Sequence, residues 1–303
     1  MIKMFFEVIA RASTALAKAT WFRYPNVKYK KIKWTISYLR WLFVLYFLIC
    51  ISPRRGILFS ALYGWFRPAD DILDGDDPNP PKDISNYISR KNVLIRFLEC
   101  DILPASMLKG EDRLLLAILY FAKSLGILDE VMEYVPTIWK HMVDDYTWKT
   151  TSVVPSSYKL YWFACSQDEA IFRLAALVFG VDKEAFAKID ILCLGAFTRT
   201  DWITDLESDL RSGLVHLSKE SILDAGLDYH DITFKNFRVA RDKLGPSIKT
   251  EVLATDKLWQ QVNQHRGQLV QAFRFKTLGR LYDRFMIGWI WENHRQNMRR
   301  FCR

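Results

Sequence analysis

Residues 200–213 read TDWITDLESDLRSG, with aspartates at 201, 205 and 209. Side chains four apart stack on one face of an α-helix, and the surrounding segment has helical composition. Like charges at that spacing cost an isolated helix roughly 0.2–0.5 kcal/mol per pair. A chain that keeps three of them must leave them in water or give them a cation. The same pattern occurs earlier, in RPADDILDGDDPNP at 67–80. There Asp70 and Asp74 form an i,i+4 pair with Asp71 beside them, and Asp76 and Asp77 follow. Both ladders sit in strongly apolar surroundings, after ALYGWF in one case and ILCLGAF in the other. A solvated helix face would account for either ladder alone and accounts less well for two.

The rest of the chain is helical in pattern. Segments 55–73, 84–100, 111–126, 128–149, 157–180, 183–211 and most of 234–301 carry Leu, Ala, Ile, Phe, Lys and Glu at helical spacing. Asp-Gly-Asp-Asp-Pro ends the first, and Gly126 and Gly180 follow apolar runs as C-terminal cap glycines do. No alternating strand pattern with Asn-Gly turns is present. The expected class is all-α, a bundle around a central cavity or core. With 303 residues, half of them hydrophobic, the core can be large. The expected organisation is a basic segment 1–34, an all-α domain 35–290 and a basic tail 291–303.

The stretch WTISYLRWLFVLYFLICI (34–51) is long enough to raise a membrane span. Arg40 within it and Pro53 closing it favour a helix buried in a protein core. Five widely spaced cysteines without C-x-x-C argue against a disulfide framework and for a reducing, cytoplasmic setting. No cleavable signal peptide is evident. The net charge of +9 suits an anionic partner. Zinc-finger spacing and RNP-type strands are missing, so nucleic acid is not that partner. The terminal WIWENHRQNMRRFCR reads as a last helix closing the bundle, with a peripheral membrane anchor as the alternative.

Mg²⁺ suits two facing carboxylate ladders. It is hard, takes oxygen ligands, and is usually held by one or two carboxylates plus substrate phosphates. Two or three such ions would clamp a diphosphate and stabilise charge on the departing group.

The motifs extend this. ISPRRGILFSALYGWFRPADDILDG (51–75) resembles the first signature of the squalene/phytoene synthase family, ending in Arg-x-x-Asp-Asp-x-x-Asp. GAFTRTDWITDLESDLRSGLVHLSKESILDAGL (195–227) resembles the second, with Asp-x-x-x-Asp followed by Arg-x-Gly. HMVDDYTWKTTSVVPSSYKLYWFACS (141–166) is a weaker match to the intervening helices. The resemblance covers residues 35 to 290. It implies a single-domain isoprenoid-synthase helical bundle around a central cavity. It also implies Asp70, Asp74, Asp201, Asp205 and Asp209 as Mg²⁺ ligands, with Asp71 assisting. Arg55, Tyr63, Arg67 and Arg211 would lie at the diphosphate.

The sequence departs from the family pattern at several points. Thr198, Asp201 and Thr204 stand where Gln, Asn and Arg are usual, leaving Arg199 or Arg211 to supply the lost cation. Gly213-Leu214-Val215-His216 replaces Gly-Arg-x-Tyr, and His216 reads as an ordinary hydrogen-bonding residue. Ala164 to Asp168 replace a small-residue segment. The resemblance implies a prenyltransferase, monomeric or homodimeric, joining two allylic diphosphates head to head. The alternatives are a cyclase ionising one substrate and a non-catalytic relative acting as a binding or assembly factor. Nothing in the sequence supports NADPH.

Overall fold

The computed structural model describes residues 2–22, 30–77, 79–100, 102–186, 190–228, 232 and 237–302. It is 84% helical, and the described residues form no strand beyond one isolated bridge between Val181 and Phe273. The all-α expectation is met. The chain forms two compact units, Met1–Trp139 with Leu177–Phe179, and Lys140–Ala176 with Gly180–Arg303.

The first unit contains α1 (Ile2–Phe22), α2 (Lys30–Ile51), α3 (Pro53–Asp74), α4 (Ile84–Glu99), α5 (Leu114–Leu125) and the start of α6 (Leu128–Thr151). Helix α3 is its axis and packs against α1, α2 and α5. Pro53 at its first turn pre-sets the helical φ. At its end Gly75, at φ 81°, lets the Asp76 N–H return to the Asp71 carbonyl at 2.8 Å. Gly56 is required by packing, because a Cβ there would fall 2.5 Å from the Ile49 backbone where α2 turns into α3. Leu58, Trp65, Leu94, Leu98, Leu114 and Leu115 are buried in this unit.

The expectation for 34–51 is corrected. Helix α2 buries Val44, Leu45 and Leu48, but Leu39 and Phe43 are each 55% exposed. The helix is apolar along most of its length, and among its described side chains those on one side are covered while those on the other are exposed. No helix among the described residues is long and apolar enough to cross a membrane.

The second unit contains the end of α6, α7 (Ser157–Asp168), α8 (Leu174–Phe179) up to Ala176, α9 (Lys183–Phe186), α10 (Ala196–Ser212), α11 (Lys219–Asp224), α12 (Phe237–Gln271), α13 (Lys276–Tyr282) and α14 (Gly288–Phe301). A π-helical turn at Glu169–Arg173 joins α7 to α8. Helix α10 packs against α7, α12 and α14. Trp259 on α12 donates to Thr200 Oγ1 at 2.9 Å, and Asn297 on α14 donates to Thr204 Oγ1 at 3.0 Å. The C-terminal stretch is thus a packed helix, with Ile290, His294 and Asn297 buried.

Two expected helices are broken. Segment 183–211 is interrupted before Gly195, whose φ of 72° starts α10 afresh. Segment 234–301 breaks after Gln271, where Asp182 N–H bonds the Ala272 carbonyl at 2.8 Å.

Candidate functional site

The first ladder forms the end of α3. Asp71 is buried, Asp70 half-buried and Asp74 exposed. Arg67 lies three and four residues before the first two. It donates to Asp70 Oδ2 at 2.6 Å and through its other terminal nitrogen to Asp71 Oδ1. Burial pushes the Asp71 carboxyl up to about 6, against the pull of Arg67. Tyr63 is half-buried one turn before Arg67. Arg55 is occupied within the same unit, donating to the carbonyls of Leu177 at 2.8 Å and Val178 at 3.1 Å. A phosphate at Arg55 would have to share it with these helix-end carbonyls.

The second ladder runs along α10. Asp201 and Asp205 are exposed and Asp209 is partly covered, whereas Trp202, Ile203, Leu206 and Leu210 are buried. Gly195, the residue before the helix, has no side chain to cap it. Asp168, at the end of α7, takes that role. Its carboxylate accepts from the N–H of Phe197 at 3.0 Å, the N–H of Thr198 at 2.8 Å and the Thr198 hydroxyl at 2.7 Å. Burial still pushes the Asp168 carboxyl up to about 7.

His216, beyond the end of α10, is buried between two aspartates. Its Nδ1–H donates to Asp209 Oδ2 and its Nε2–H to Asp145 Oδ1 on α6, both at 3.1 Å. A neutral imidazole has one N–H, so two carboxylate partners call for the imidazolium. Burial opposes that charge, but Asp145 and Asp209 outweigh it and hold the ring at about 10. The ring also stacks on Trp202, with centroids 4.6 Å apart at 14°.

His216 therefore does more than the sequence reading gave it, and Asp145 was not singled out at all. The only local signal was the Asp144-Asp145 pair in HMVDDYTW. Arg199, a candidate for the missing cation, pairs with Glu251 at 2.5 Å. The side chain of Arg211 lies outside the described residues.

Among the described residues no group of three or more His, Cys, Asp or Glu side chains gathers as a metal cage. Mg²⁺ does not require one when phosphate and water complete its shell. Asp70 with Asp74, and Asp201 with Asp205, offer oxygen donors one helical turn apart toward solvent, and they fit such binding. Asp71 and Asp209 fit it less well, since both are more covered, and Asp70 would share its carboxylate between Arg67 and the metal.

An all-α chain with two aspartate-lined helices, each carrying its own internal cation, is what comparison with known proteins has to match. The chloroplastic phytoene synthase of an Oncidium hybrid cultivar is 23% identical over 245 residues, covering 77% of this chain and 54% of that protein. This chain thus spans about half the length of the curated relative it matches. At that level it is a distant squalene/phytoene synthase-like relative. No family model and no solved structure matches it.

Proposed function

We propose that the chain is a Mg²⁺-dependent prenyltransferase joining two allylic prenyl diphosphates, C15 or C20, head to head with release of diphosphate. The observation that carries this reading is a pair of aspartates one helical turn apart on each of α3 and α10, with Asp74, Asp201 and Asp205 exposed and Asp70 half-buried, in a chain distantly similar to phytoene synthase.

In this reading Asp70 and Asp74 would hold metal at one group and Asp201 and Asp205 at the other, with Asp209 at the edge of the second. Bound Mg²⁺ supplies positive charge to the diphosphate and so eases its departure. The remaining work falls to the chain's own groups. Arg67 holds Asp70 and Asp71 in fixed geometry, and His216 does the same for Asp209. Tyr63 and Arg67 border the diphosphate end. The C1–O bond of one substrate breaks, with its electron pair leaving on the diphosphate. The double bond of the second chain attacks C1, and loss of a proton gives a coupled product that keeps the second diphosphate. Its C–O bond then breaks, with the electron pair leaving on that diphosphate, and loss of a second proton gives the hydrocarbon.

The test is product analysis by mass, with farnesyl and geranylgeranyl diphosphates, with and without Mg²⁺. Coupled hydrocarbon is expected only with Mg²⁺. It should fall by about 10³-fold in Asp70→Ala or Asp205→Ala. Products of unchanged carbon number would instead mean a cyclase, and diphosphate binding without product would mean a binding protein.

A further inference from the structure

The sequence placed a membrane anchor, if any, at the C-terminal stretch, but that helix is packed into the second unit. An uncovered apolar surface lies instead on α2. Ile32, Leu39, Phe43 and Tyr46 are exposed at spacings of seven, four and three, which sets them in one stripe. Ile51 continues the exposure at the helix end, and Phe6 on α1 is 63% exposed. Val44, Leu45 and Leu48 on the opposite side anchor α2 to its own unit. The stripe is therefore fixed on folded protein.

Charge indicates what covers it. Residues 1–51 contain nine lysines and arginines and one glutamate, a net +8 of the chain's +9, while the remaining 252 residues are nearly neutral. Helix α2 contains no acidic residue, and KYKKIK (28–33) runs into its start. A second copy docking on this face would bring the same dense positive charge against itself, with no acid on α2 to pair. An anionic bilayer complements both properties, because apolar side chains enter the headgroup boundary while lysines meet lipid phosphates.

We propose that the exposed face of α2 docks the protein on an anionic lipid surface. This is independent of the prenyltransferase reading, since none of these residues belongs to either aspartate ladder.

Sedimentation of the full-length chain with phosphatidylcholine vesicles, with and without phosphatidylserine, tests it. Binding is expected only with phosphatidylserine and should weaken as salt rises. Replacing Lys28, Lys30, Lys31 and Lys33 by Gln should weaken binding by about fivefold per lysine. The Leu39→Glu/Phe43→Glu variant should lose it by about tenfold or more at unchanged helical circular dichroism. Failure of the unaltered chain to bind phosphatidylserine vesicles overturns the proposal. So does equal binding to both vesicle types. If the Leu39/Phe43 variant binds vesicles normally and turns a dimer into a monomer by light scattering, the face is an interface between copies.

Discussion

Helices α3 and α10 meet the same difficulty, carboxylates repelling along one helix face, and meet it differently. In α3 the neutralising cation is Arg67, within the same helix and one turn before its partners. In α10 it is His216, brought from the following loop and held from its other side by Asp145, 71 residues earlier in the chain. The first arrangement is local and half open to water, while the second is buried and long-range. The α3 ladder is thus a property of a helix and the α10 ladder a property of a packed unit.

The largest consequence falls on His216. Replacing it with Ala strips Asp145 and Asp209 of a shared buried cation and should cost about 3 kcal/mol at neutral pH by urea denaturation. That is the low end for a broken buried pair, because the carboxylates remain 18% and 21% exposed. The ring's folded-state value of about 10 lies above its usual value of 6.5. Its contribution is therefore complete below about 6.5 and lost as pH rises through 10. In metal-free buffer the stability difference between the parent and His216→Ala should shrink steadily across that window. A difference that stays constant with pH would mean that the ring is neutral and the two ladders are more alike than their geometry indicates.

Arg67→Met should cost less, roughly 1–2 kcal/mol, since Arg67 and Asp70 remain about a third exposed and water screens the pair. Its sign against pH is the same, but its window lies lower. Burial raises Asp71 from 3.8 to about 6, so its contribution is present below about 4 and is lost as pH rises through 6. Without Arg67 the carboxyl loses its stabilising cation, and the window should move to higher pH. A variant with an unmoved window would show that Arg67 does not govern Asp71.

The same contrast decides what could be read from the sequence. Helix content, both aspartate ladders and the cap glycines at 75, 126 and 180 follow from spacing within a few residues, and all are present. The Arg67–Asp70–Asp71 pairing lies within one helical turn and was equally open to reading. The partners of His216 were not, because they depend on how α6 and the loop after α10 pack. The break before α10 was hidden for a related reason. Segment 183–211 has helical composition throughout, and its restart is set by Gly195 together with Asp168 from another helix. Arg40 and Pro53 argued against a membrane span for 34–51, but an apolar helix does not record which of its sides is covered.

The starts of the two helices extend the comparison, with a smaller effect. Ser52 precedes α3 without a side-chain cap bond, and Pro53 supplies the pre-set φ. Ser52→Ala should therefore change stability by less than about 0.5 kcal/mol. Helix α10 depends on Asp168, reached in part through the Thr198 hydroxyl. Thr198→Val keeps the branched shape and both backbone donors but removes that hydroxyl, at a cost of about 1 kcal/mol. Hydrogen exchange separates this from a general loss of packing. Protection should fall at the Phe197 and Thr198 amides, which donate to the same carboxylate, and remain unchanged in α3. Uniform loss across both units, or equal costs for Ser52→Ala and Thr198→Val, would mean that α10 is no more dependent on distant partners than α3.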